Sequence, residues 1–368
     1  MRVLHLNAGN ETGGGMFHIL SLLSKFPKEE VVLGVFEEGE LYHKAKEKGI
    51  NTIMFKQRHQ GDLSILSELT RYIRDHNFNF IHTHGPRAAF LMALIKKQIS
   101  QPLITTIHSS PCDDFKGKGI KGWVCHQLHK WSFKYVDHFL VVSNNFSNLM
   151  QKKYKVPQEK ISVVLNGLNF DDSYEGYNRE DFGLNESDFI IMMVARLEPV
   201  KQHKMAIEAF RQFNMDNPSS KLILVGDGSE QEKISSLIEK FNLDNHVWML
   251  GRRNDVNRLY GLSDIVLLTS KSESFPLVLL EAARAKVPVV TTNVGDVKTL
   301  IPTKDHGWIV ESDQHEAFVK TFNEAHLLKN RNKLSNNGER LYDFASKHFS
   351  LEKFYENTKR IYKSIRLN

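Results

Sequence analysis

Only two cysteines, Cys112 and Cys125, occur among 368 residues, and they are too far apart for a paired metal-ligand or redox motif. Neither disulfides nor a structural metal is therefore expected to organise the fold, and a reducing cytoplasm suits that usage. Long apolar runs are also missing. The longest, such as 188–197 and 264–268, fall well short of the ~20 residues that cross a bilayer as a helix, so any membrane contact is expected to be peripheral. The opening residues read at once as a strand rather than as a charged region followed by a long apolar stretch, so no export signal is expected. No G-x-G-x-x-G follows a strand, since Gly13, Gly14 and Gly15 give a different spacing; this argues against a nicotinamide-dependent dehydrogenase. An aromatic-rich RNA-binding pattern and basic repeats are absent too, so nucleic acid is not an expected partner.

What is present describes a soluble globular protein, with 41% hydrophobic and 25% charged residues. The chain is longer than one hydrophobic core usually serves, which predicts two domains. A net charge of +6 favours an anionic partner, either a phosphate-bearing substrate or an acidic lipid surface.

Short β-branched and aliphatic runs recur at 31–36, 51–55, 80–84, 103–108, 139–143 and 161–165, with helical patterns between them. In one of these, Leu63, Leu66, Leu69, Tyr72 and Ile73 fall near the helical period, predicting a face buried against a sheet. A second series runs through 189–194, 221–225, 246–250, 265–269, 288–291 and 308–310. Alternating strand and helix predicts two α/β domains, each a doubly wound parallel sheet. The turn-rich, acidic stretch 166–188 is expected to connect them. Residues 1–168 then form the first domain and 169–350 the second, with a final amphipathic helix at 351–365.

The strongest chemical signal is a pair of glutamates, Glu273 and Glu281, just beyond the apolar run 265–269. Pro276 suits a helix start, which puts Glu281 about one and a half turns in and points N–H groups at an anion. A helix-capping Glu273 with a surface Glu281 would give the same spacing. Arg196 and Lys201 follow the first strand of the same domain, where a forked guanidinium and a compact ammonium can neutralise a departing diphosphate without a metal.

Taken in order, Gly13 to Gly15, His108, Asn166-Gly167, Arg196 with Lys201, Gly226-Asp227-Gly228 and the Glu273/Glu281 pair resemble the retaining glycosyltransferases of family 4 over essentially the whole chain. The resemblance implies a GT-B fold, two Rossmann-like domains facing across a cleft, with the C-terminal helix 351–368 completing the first. It implies a nucleotide-sugar donor, a UDP-sugar before a GDP-sugar, whose diphosphate is held by Arg196 and Lys201. Glu273 would hold the sugar hydroxyls and Glu281 the ribose. Gly14, Gly15, Gly226, Arg252, Ser274, Phe275 and Leu277 would line the donor through backbone or loop contacts. His108 occupies the place of a histidine near the reacting atoms, and His84 is the acceptor-side candidate.

No cofactor or metal is implied. The acceptor would be lipid-linked or an oligosaccharide, in capsule, exopolysaccharide or other cell-surface glycan synthesis. Two departures stand out: Asp296 follows Gly295 where relatives often carry a second glycine, and Pro276 removes one N–H. A sugar-nucleotide 2-epimerase or a non-catalytic partner subunit would share the architecture. The basic segment 116–135, with Trp123, Trp131, Lys116, Lys118, Lys121, Lys130 and Lys134, fits two descriptions. One is a helix packing its tryptophans on the sheet; the other is a peripheral contact with an anionic membrane at its cytoplasmic face.

Overall fold

The computed structural model describes the whole chain except residues 60, 112–114, 116, 118, 173, 312–314 and 368, and the side chains of 366 and 367. Cys112, Lys116 and Lys118 thus lie outside the described residues. The chain divides into two compact units, Met1–Gly167 with Leu351–Asn368, and Leu168–Ser350.

In the first unit the strands are β1 (Val3–Asn7), β2 (Val31–Val35), β3 (Thr52–Met54), β4 (Phe80–His84), β5 (Leu103–Ile107), β6 (His138–Val141) and β7 (Ile161–Val163). They form one parallel sheet in the order β3-β2-β1-β4-β5-β6-β7. In the second unit β8 (Phe189–Val194), β9 (Ser220–Val225), β10 (Val247–Met249), β11 (Ile265–Leu268), β12 (Val289–Thr292) and β13 (Trp308–Val310) are parallel in the order β10-β9-β8-β11-β12-β13. Each order reverses direction once, between β1 and β4 and between β8 and β11. Loops leaving the carboxyl ends of those two strand pairs diverge, which opens a crevice for a ligand. Strands such as Val3–Asn7 and Ile265–Leu268 are buried throughout, because helices cover both faces of a parallel sheet.

The C-terminal helix Leu351–Leu367 belongs to the first unit. Phe354, Thr358 and Tyr362 recur every four residues and are buried. Tyr362 stacks on Phe80 with ring centroids 5.5 Å apart, and Tyr355 meets Phe26 edge-on at 4.8 Å.

Two expectations change. The helix expected to begin with Leu63 begins at Ile65, and Leu63 is 48% exposed. The Asp62 carboxylate accepts from the backbone N–H of Ser64 at 2.9 Å and of Arg58 at 3.1 Å, and this local turn holds Leu63 outside the helical period. The stretch 166–188 is not an open connection. From Leu168 onward it is built into the second unit: Leu168, Phe170 and Leu184 are buried, and Arg179 pairs with Asp264 at 3.0 Å. Its glycines and acids look like a linker, but three interspersed apolar anchors decide its packing.

Candidate active site

In the second unit the loops after β8, β9, β10, β11 and β12 are stitched together at one edge of the sheet. Leu197 N–H donates to Asp227 O at 2.7 Å, and Gly226 N–H to Gly251 O at 2.8 Å. The Thr269 hydroxyl donates to Lys201 O at 2.8 Å, and Lys271 N–H to Val200 O at 2.8 Å. Asp296 N–H donates to Ser274 O at 3.1 Å. That last bond shows what the Gly295-Asp296 pair does with its amide: it ties the β12 loop to the β11 loop.

Gly226 is fixed by space as well as conformation. Its φ is +144°, and a Cβ there would lie 2.0 Å from Ala195 O. The close approach holds the Arg196 loop against the β9 loop. Gly226→Ala is expected to lower unfolding free energy by about 2 kcal/mol or more, read by chemical denaturation; a midpoint equal to wild type would refute the steric reading.

These ties set out the charges. Lys201, in the turn Pro199–Lys201, places Nζ 2.5 Å from Glu273 Oε1, which also accepts from the Ser270 hydroxyl at 2.6 Å. Both ionic side chains are mostly buried, at 18% and 14% exposure, so neither is a freely solvated loop charge, and Glu273 caps no helix. Arg196 is exposed at the same edge. Pro276 stands one position before the helix Leu277–Arg284 rather than in its first turn, and Glu281 lies on that helix. Its Oε2 accepts from the buried Tyr260 hydroxyl at 2.8 Å. Burial raises the Glu281 carboxyl pKa, against the pull of the Tyr260 bond and of Arg284. No described residue hydrogen-bonds its Oε1. The alternative of a surface Glu281 is therefore corrected.

Ser274 and Leu277 are half-buried beside this edge, while Phe275 is buried against Phe349 with ring centroids 5.1 Å apart. A Phe275 role therefore falls to its backbone. Arg252 is exposed in the turn after β10, and the neighbouring Arg253 pairs with Asp255 at 2.6 Å.

In the first unit Gly13, Gly14 and Gly15 are not a loop but the first turn of the helix Gly13–Lys25, whose first turn carries no acid. Helix start and positive dipole end thus coincide just beyond β1.

Sequence reasoning missed most of the histidines there. His5 on β1 is in register with His82 on β4, His82 and His84 are two apart on one strand, and Thr106 on β5 is in register with His84. The period of two puts all of them on one face. His5 Nδ1 lies 2.9 Å from His84 Nε2, and His84 Nδ1 lies 3.0 Å from His108 Nε2. His18, on the glycine-led helix, meets His108 edge-on at 4.6 Å and bonds Asn166 Oδ1 at 2.8 Å. Burial lowers all five imidazole pKa values, His5 to about 3 and His18 to about 4, so the cluster is neutral. His84, expected to meet the acceptor, has both ring nitrogens engaged and is buried; it reaches a ligand only through His108. The signal that could have found the cluster is His82-Thr83-His84, alternate polar residues in a strand buried on both faces.

His108 borders a cavity of about 260 Å³ that also has Glu11, Thr106, Ser109 and His129 in its wall. His129 is buried, with neither ring nitrogen hydrogen-bonded. On the helix Gly119–Ser132, Trp131 packs near Phe90 and Tyr135, while Trp123 is 64% exposed beside exposed Ile120, Val124 and Leu128. Trp131 thus follows the packing description, and Trp123 does not pack on the sheet. Among the described residues no helix is long and apolar enough to cross a membrane.

Comparison with known proteins agrees with this geometry. The family profile "Glycosyltransferase Family 4" matches residues 12–172, and "Glycosyl transferases group 1" matches residues 176–341. The N-acetyl-alpha-D-glucosaminyl L-malate synthase of Bacillus anthracis is 27% identical, over 83% of this chain and 79% of its own length. An Escherichia coli UDP-Gal:alpha-D-GlcNAc-diphosphoundecaprenol alpha-1,3-galactosyltransferase is 26% identical, over 70% of this chain and 69% of that protein. The crystal structure of Anabaena HepE in complex with UDP superposes with a TM-score of 0.85 at 20% identity, covering 99% of this chain and 100% of that one. The chain is a glycosyltransferase with the GT-B fold, and it belongs to family 4.

Proposed function

We propose that the chain moves a sugar from a UDP-sugar, with retention of anomeric configuration, to a hydroxyl of a lipid-linked or oligosaccharide acceptor in cell-surface polysaccharide synthesis. The observation that carries this reading is the Lys201–Glu273 ion pair stitched beside exposed Arg196 at the edge where β8 and β11 part. Arg196 and Lys201 offset the charge that grows on the leaving diphosphate, a task that needs no metal. Glu273 takes hydroxyls of the sugar. Glu281 offers its open Oε1 to the ribose, while Tyr260 holds the other oxygen. The UDP in HepE and the UDP-galactose donor named for the E. coli relative support uridine as the base.

The sequence positions no carboxylate as an obvious nucleophile, so in this reading the leaving phosphate is the base that takes the acceptor proton, and the protein contributes position and field. Gly14, Gly15 and His108, to which the family resemblance gives roles toward the donor and the reacting atoms, belong to the first unit. Among the described residues, the cavity beside His108 has neutral imidazoles, a carboxylate and two hydroxyl residues in its wall and no lysine or arginine. That lining suits an uncharged sugar ring better than an anion. Ile120, Trp123, Val124 and Leu128, with Lys121 and Lys130 on the same helix, support a peripheral contact with an anionic membrane at its cytoplasmic face.

The test is incubation with UDP-sugars and glycan or lipid-diphosphate-sugar acceptors in EDTA, with the anomeric proton of the product followed by NMR. Acceptor-dependent UDP release with the donor's configuration kept is the expected result. Conversion of the donor without acceptor would favour an epimerase. An absence of turnover with every donor would favour a non-catalytic subunit.

A further inference from the structure

The histidines of the first unit do more than fill space, because their hydrogen bonds run head to tail. Starting inside the sheet, Thr106 Oγ1 lies 2.6 Å from His82 Nε2, and His82 Nδ1 lies 2.5 Å from the Tyr362 hydroxyl. That hydroxyl is 3.5 Å from His5 Nε2, His5 Nδ1 bonds His84 Nε2 at 2.9 Å, and His84 Nδ1 bonds His108 Nε2 at 3.0 Å. Every ring enters through one nitrogen and leaves through the other. Only His108 Nδ1 has no described partner, and the two end members of the chain, His108 and Thr106, both border the cavity. We propose that Tyr362, on the C-terminal helix, is a positioning residue that completes this chain and so couples the other rings to whether His108 Nδ1 donates or accepts a hydrogen bond at the cavity it borders.

His5, His82 and His84 are buried and His108 is half-buried; all four rings are neutral, and each so carries one proton. If His84 donates to His108, then His5 donates to His84, Tyr362 to His5, His82 to Tyr362 and Thr106 to His82. His108 then keeps its proton on Nδ1 and is a donor. If His108 donates to His84, every bond reverses, and Nδ1 presents a lone pair. The two polarities satisfy the same bonds, but passing from one to the other sends one proton out at His108 Nδ1 and brings one in at Thr106 Oγ1. The polarity therefore changes as a unit, with every ring switching its protonated nitrogen together.

Tyr362 is the link that serves either direction, since a phenol both donates and accepts. Phenylalanine there would leave His5 Nε2 unpaired, and a buried orphan N–H is tolerated less well than an orphan lone pair. The groups facing the chain from other elements are His18 and Asn166, which bond each other, and Phe354. None of these takes a bond that the chain needs.

The proposal rests on the transferase reading for what His108 does, but the chain itself is testable without turnover. Ring ¹⁵N spectra of the ligand-free protein with labelled histidine give the protonated nitrogen of each ring. His84 and His108 are expected to be protonated at the same ring position, both Nδ1 or both Nε2. Tyr362→Phe, which keeps the stacking on Phe80, is expected to shift both His84 and His108 signals and to lower kcat about tenfold, with the donor KM unchanged. Thr106→Val, which removes the other end, gives the same readouts if the first variant does not fold.

Opposite protonation of His84 and His108 in the wild type, or unchanged His84 and His108 signals in both variants, would overturn the proposal. So would stoichiometric metal on His5, His82 and His84, whose ligand atoms lie within 4.8 Å of one another. A head-to-tail pattern in a protein that transfers no sugar would instead fault the functional reading and leave the chain standing.

Discussion

Replacing Arg196 by alanine is expected to lower turnover about a hundredfold or more, the scale of losing one preorganised charge donor to a transition state. Folding stability should stay within about 0.5 kcal/mol of wild type, because the side chain is exposed. The two readouts separate a functional cation from a structural one. Lys201 is a stricter case: its loss leaves Glu273 with only the Ser270 hydroxyl, so Lys201→Ala should reduce both turnover and stability. Steady-state kinetics and urea denaturation on both variants check this. Near-normal turnover for Arg196→Ala would remove it from the donor site.

Acid is expected to unfold the protein far above the carboxylate range. An unfolded histidine takes up a proton near pH 6.5, whereas His5 and His18 in the fold do so only near pH 3 and pH 4, because burial penalises the imidazolium. The folded state thus binds fewer protons than the unfolded one below pH 6.5, and stability falls as pH falls. The contribution is complete above about 6.5 and is lost progressively toward the folded values. At pH 5 each of the two has cost about 2 kcal/mol, together about 4 kcal/mol out of a typical 5–15. His82, His84 and His108 are shifted in the same direction, and so are His129 and His203 outside the cluster. Denaturation midpoints between pH 7.5 and pH 5 should therefore drop steeply; a flat profile would mean that the cluster is hydrated or charged.

The sequence was most legible where one strand or helix carries its own signal. The run Phe189–Val194 is apolar throughout because both faces of a parallel strand are covered, and Arg196, Lys201, Glu273 and Glu281 stand just beyond such runs. Carboxyl-end loops of a doubly wound sheet flank the crevice at the strand-order reversal, so a charged residue that closely follows an apolar run is assigned to a site by its place in the chain alone.

What stayed hidden depends on partners distant in the chain. The bond between Glu281 and Tyr260 spans 21 residues, and the ring contact of His5 with Tyr362 spans 357. No periodicity reports such pairs. His5, His82 and Thr106 meet only through strand register, which alternation along a single strand leaves open. The glycines at 13–15 carry no helical signal of their own: the helix that starts with them is stabilised by its later residues, Ile19, Leu20, Leu22 and Leu23, which are buried.

The account stands or falls on a nucleoside diphosphate seated against Arg196, Lys201, Glu273 and Glu281. The direct test is thermal denaturation with UDP, GDP or ADP, each in EDTA, for the wild type and for Arg196→Ala. A ligand that binds only the folded state raises its stability by mass action. The account predicts a selective rise in Tm with UDP, undiminished by EDTA and much reduced in the variant. No shift with any of the three, or an equal shift in Arg196→Ala, would contradict it.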